Sequence, residues 1–82
     1  MNDRIIDIKK QYFYKILCEK EDLKDKINAL NDLFDNHKFD NISEEQILLL
    51  DIQLKVMNTY YEVLAQRYYL LSKEINALKK DE

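Results

Sequence analysis

Starting at Ile47 and stepping alternately by three and four residues, the chain reads Ile47, Leu50, Leu54, Met57, Tyr61, Leu64, Tyr68, Leu71, Ile75 and Leu78. All ten positions are apolar or aromatic. A seam sustained over nearly five heptads predicts a long helix with coiled-coil-like packing. Its start is marked by Ser43 followed three residues later by Gln46, a capping box, and by Ile42 and Ile47 at the positions of a hydrophobic staple. Glu44 and Glu45 lie in the first turn and Lys79 and Lys80 at the far end, as the helix dipole favours. The predicted helix spans about 44–79, a length of about 54 Å.

The N-terminal half carries a second seam: Ile6, Lys9, Phe13, Ile16, Lys20, Leu23, Ile27, Leu30 and Phe34. Lys9 and Lys20 interrupt it and are expected to snorkel, set register or mark a change of packing partner. With Asp3 as its expected N-cap, this helix spans about 3–35. A loop over about 36–43 is of the length that joins antiparallel neighbours, and Phe39 is expected to fold back over the end of the seam. The fold class expected is all-α: one domain, residues 1–82, formed as an antiparallel two-helix hairpin. Residues whose numbers sum to about 79 then lie at the same height, so that Lys9 is level with Leu70 and Lys20 with Thr59.

One hairpin does not satisfy the second helix. Leu49, Val56, Val63, Leu70 and Ala77 form another apolar stripe, spaced seven apart, with Tyr60 between it and the seam. At about 100° per residue, the two stripes cover about 200° of the helix surface, whereas a single partner covers about 100°. A contiguous apolar patch of this kind marks an interaction site. Leu49, Val56, Tyr60, Val63 and Leu70 are therefore the expected oligomer interface. The candidate assemblies are a homodimeric four-helix bundle, a higher homo-oligomer, or a hairpin that receives a different protein.

Composition supports the helical reading. The 82 residues include no glycine and no proline, against about ten expected from average usage. This argues against primed hairpin turns and Gly-rich phosphate loops. The single cysteine, Cys18, provides no internal disulfide, and one histidine, His37, is too few for a Cys/His zinc site. A chain this short usually needs a staple, and self-association is the one that remains. The net charge of −3 argues against duplex DNA as a partner. Residues 27–51 hold six acids against one base, so the hairpin tip is acidic. No apolar run is long enough to span a membrane, and no secretion signal is recognisable. The expected location is the cytoplasm.

The residues give no support for an enzyme. No nucleophile–base set, metal-ligand spacing or phosphate loop is present, so no catalytic residue, metal or cofactor is assigned. Cys18 reads as an inert helix residue, His37 as a solvated loop residue, and Glu19, Glu21, Asp22 and Asp25 as part of a solvated charged face. The sharper candidate combines aromatic and basic residues. Lys9, Lys10, Tyr12, Arg67 and Tyr69 fall at similar heights near the open end of the hairpin. Flat rings stack on nucleobases and basic side chains neutralise phosphate, so these five form a candidate nucleotide-binding set. The alternative is structural: Tyr61 and Tyr68 fill seam positions with their hydroxyls at the rim, and Arg67 pairs with Glu62 or Glu74.

Lys38-Phe39, Ile42-Ser43, Glu45-Gln46, Leu49-Leu50, Gln53-Leu54, Met57, Tyr60, Val63-Leu64 and Arg67 follow a pattern that resembles a family of short helical proteins of tailed bacteriophages, including crAss-like phages. The resemblance covers about residues 38–67 and brings no catalytic residues with it. It implies a phage accessory protein working in the host cytoplasm. By analogy with small acidic phage proteins, it implies counter-defence by stoichiometric binding. The most concrete form is a homo-oligomer that sequesters a cyclic or other nucleotide immune signal. The alternatives are an anti-CRISPR-like inhibitor that engages a host defence protein through its acidic tip, and a small phage structural or scaffold protein.

Overall fold

The computed structural model describes residues 2–36 and 39–80. Helix α1 runs Asn2–Asp35 and helix α2 runs Glu44–Lys80. They lie antiparallel against each other in a rod of 59 × 16 × 15 Å. The hairpin is thus one helix length long and two helices wide.

The start of α2 is capped by Ser43: the Gln46 N–H donates to Ser43 Oγ at 3.2 Å, and the Ile47 N–H donates to the Ser43 carbonyl at 3.0 Å. Asp3 lies within the first turn of α1, not ahead of it as a cap. There its carboxylate still complements the helix dipole. At the other end of α1, Asn36 donates to the Asp32 carbonyl from both its backbone N–H (3.0 Å) and its side-chain Nδ2 (2.9 Å). These bonds satisfy an acceptor left over by the last turn. In the connection the Ile42 N–H donates to the Phe39 carbonyl at 3.2 Å, and Asn41 adopts φ 67°. Asparagine tolerates this left-handed geometry better than most residues, and here it occupies a position that glycine often takes. The Phe39 ring packs edge-on against Phe34, 5.1 Å between centroids, and closes the tip of the seam as expected. His37 lies outside the described residues.

The core is the pair of seams. Ile6, Ile16, Leu23 and Ile27 of α1 and Leu64 and Ile75 of α2 are buried, and Leu54, Met57, Tyr61, Tyr68 and Leu71 pack against the central cluster. Cross-helix contacts fix the register. Glu19 meets Tyr60, Phe13 stacks on Tyr68 with centroids 4.5 Å apart, and Lys9 meets Glu74 at 3.3 Å. Their numbers sum to between 79 and 83, close to the expected register.

The two lysines in the α1 seam are accommodated differently. Lys9 reaches outward to the Glu74 carboxylate at the solvent boundary. Lys20 lies over two rings, 5.7 Å from the Tyr61 centroid and 5.1 Å from that of Tyr68. Lys24 covers Tyr61 from 5.2 Å. These cation–π contacts place positive charge against the negative faces of the rings. They let a charged side chain occupy a seam position without entering the apolar core. Among the described residues, no helix is long and apolar enough to cross a membrane.

Candidate functional site

One long side of the rod holds most of the features that the seam leaves unused. Leu49, Val56 and Leu70 are each more than half exposed, Val63 is 50 % exposed, and Tyr60 and Ala77 also face outward. Spacing by seven keeps such positions on one side of a helix packed as a coiled coil. Tyr60 donates a hydrogen bond from its hydroxyl to Glu19 Oε1, which ties the two helices together along this side.

Helix α1 extends the same face. Tyr12 lies seven residues before Glu19 and joins Arg67, Leu70 and Glu74 around an open hollow of about 380 Å3, with Ile16 and Leu71 among its lining residues. Ile5, seven residues before Tyr12, is also exposed. Lys9, paired with Glu74, sits beside this hollow. Apolar surface, one tyrosine ring, one guanidinium and the Glu74 carboxylate, neutralised by Lys9, thus occur together. Such a hollow suits a flat, anionic molecule: the ring provides a stacking surface and the guanidinium a bidentate anion contact. Its volume is at the low end for small-molecule sites.

The five candidate nucleotide-binding residues do not form one surface, which corrects the sequence-based expectation. Tyr12 and Arg67 line this hollow, and Lys9 is tied to it through its ion pair with Glu74. Lys10 instead lines a separate hollow with Phe13, Tyr14, Ser72, Asn76 and Lys79. The physical reason is angular. Lys10 is two residues from Tyr12, and Tyr69 two residues from Arg67, and two residues on a helix turn by about 200°. Tyr69 faces away from Arg67 and is exposed, with Lys73 Nζ 5.3 Å from its ring centroid. Equal height along the rod placed the five together; azimuth separates them.

Tyr61 and Tyr68 serve as core fillers, as the structural alternative held, and their rings are occupied by Lys20, Lys24 and Phe13. Among the contacts missed by sequence reasoning is Glu19–Tyr60. It was legible, because the two numbers sum to 79. Cys18 is exposed and free. Among the described residues, no group of three His, Cys, Asp or Glu side chains is placed to hold a metal ion.

The model of one protein family, described as Sequestin, matches residues 10–70, about three quarters of the chain. The chain belongs to the Sequestin family. The match includes most of both helices, the tip, and both Tyr12 and Arg67. It also takes in the whole of residues 38–67, the segment of the phage-family resemblance, and extends well into α1. No curated protein and no solved structure matches the chain. Within this Sequestin chain, the matched segment carries the four large side chains of the exposed stripe, Leu49, Val56, Val63 and Leu70, together with Tyr60.

Proposed function

We propose that this member of the Sequestin family is a phage-encoded counter-defence protein that acts by stoichiometric binding in the host cytoplasm, sequestering a cyclic or other nucleotide immune signal in a homo-oligomer. The observation that carries this reading is the shared hollow of Tyr12 and Arg67, set in a largely apolar face where Lys9 neutralises the one carboxylate lining it, Glu74. Tyr12 stacks the base, Arg67 holds phosphate, and Lys9 adds positive charge beside them. The family's name, which speaks of sequestration, supports a binding role. The apolar stripe supports self-association, because a water-exposed face of this length is stabilised by burial.

Titration calorimetry with a panel of cyclic di- and trinucleotides tests the reading. The expected result is a saturable heat with at least one member of the panel, weakened at least tenfold by Arg67→Ala. Flat traces across the panel contradict it.

A second reading rests on the tip, where Asp32, Asp35, Asp40, Glu44 and Glu45 are all exposed. Here the acidic end engages a basic surface on a host defence protein. Charge reversal of Asp40, Glu44 and Glu45 then abolishes inhibition of that host protein and leaves nucleotide binding intact.

A further inference from the structure

The stripe on α2 has an internal symmetry that constrains what can cover it. We infer that its occupant is a second copy of this chain, laid antiparallel along the stripe with a two-fold axis at Val63. This rests on the self-association reading above and adds an orientation and a register to it.

Area favours a large partner. A compact monomer of 10.0 kDa exposes about 5,200 Å2 by the scaling of surface with mass. This hairpin exposes 6540 Å2. The surplus of about 1,300 Å2 exceeds the roughly 800 Å2 per partner of a standard specific interface. A second hairpin brings the same uncovered stripe, so one contact relieves both.

Charge selects the orientation. Residues 27–51, at the tip, carry six acids and one base, a net of −5. At the open end, residues 1–15 carry four bases and two acids and residues 66–82 carry four bases and three acids, together a net of +3. Parallel pairing sets tip against tip and open end against open end, like charge against like. Antiparallel pairing sets each acidic tip beside a basic open end.

The spacing of the stripe selects the register. In an antiparallel two-fold pair, facing residues have numbers with a constant sum. A sum of 126 matches every member of the stripe: Leu49 with the partner's Ala77, Val56 with the partner's Leu70, and Val63 with its own copy at the axis. Large side chains thereby face smaller ones. Sliding by one heptad to a sum of 133 pairs only four of the five stripe positions, Val56 with the partner's Ala77 and Val63 with the partner's Leu70. Sliding the other way to 119 moves Ala77 off the partner's helical stripe, level with Ile42 in the connection ahead of α2. At 126, Glu74 is level with the partner's Ile52. Arg67 comes level with the partner's Thr59, so the second copy adjoins the Tyr12–Arg67 hollow.

Pulsed electron paramagnetic resonance distinguishes these arrangements. The background is the full chain with Cys18→Ala, and a nitroxide is placed at Asn58→Cys or Asn76→Cys, both exposed asparagines off the stripe. At 1.5 Å per residue, the inferred dimer separates the two Asn76 sites by about 39 Å along the rod and the two Asn58 sites by about 15 Å. The expected result is therefore a long distance at 76 and a much shorter one at 58. Equal short distances at both sites indicate a parallel pair and overturn the orientation while leaving self-association standing. A longer distance at 76 with a collapsed one at 58 indicates the slip to 119, and similar distances of about 25–30 Å at both sites the slip to 133; either overturns the axis at Val63. No dipolar coupling at either site, with a single-chain mass by light scattering at the same concentration, overturns the assembly reading itself.

Discussion

Val63 and Leu64 are neighbours in sequence, both aliphatic, on the same helix. Leu64 has no accessible surface, while Val63 is half exposed. The contrast extends along all of α2. The inner seam is covered by α1, and the outer stripe, of similar chemistry, is left exposed among the described residues. The hairpin is therefore two half-solutions to one problem. Its inner side makes a fold, and its outer side presents a face along about 42 Å of the 59 Å rod. A chain without glycine, proline or disulfide has few other means of reinforcing so thin a core.

The largest expected effect lies on the inner side. Leu64→Ala removes a fully buried side chain from the central cluster and costs about 2–5 kcal/mol. In urea denaturation followed by helicity, the variant unfolds at much lower denaturant or is unfolded in buffer. Next comes the outer side. Val63→Asp leaves the isolated hairpin nearly as stable, because the position is already half in water, but brings two carboxylates together at the inferred axis. Self-association weakens by at least two orders of magnitude, about 2.7 kcal/mol, read by sedimentation while helicity is retained. Equal losses of helicity in the two variants would erase the distinction between the sides.

Smaller effects sharpen the boundary between them. Lys20→Ala removes a cation held over Tyr61 and Tyr68 and costs about 1 kcal/mol in the same denaturation experiment. A conventional solvated lysine would show almost none. Lys9→Gln breaks a partly exposed ion pair with Glu74 and costs less than about 0.5 kcal/mol, a difference that fades as salt rises.

The inner side was legible in the sequence because it is local physics repeated. Alternating steps of three and four identify one face of a helix, and every seam position from Ile47 to Leu78 is at least partly buried. The heptad pattern also accommodates the lysine interruptions, since long stems let the charge leave the apolar layer. The candidate site was only half legible. Height along the rod follows from counting residues, which correctly set Tyr12 beside Arg67. Facing direction needs the angle as well, and for that reason Lys10 and Tyr69 fall on other surfaces. What lies against the outer stripe is written only as a spacing of seven and a charge asymmetry, because a single chain carries no direct record of its partner.

The most direct measurement is the mass of the purified chain by sedimentation equilibrium across a wide range of concentrations. We expect a reversible assembly of at least two chains that Val63→Asp returns to a single chain. A well-folded single chain of 10.0 kDa persisting at the highest concentration, with Val56 and Val63 in water, contradicts the account.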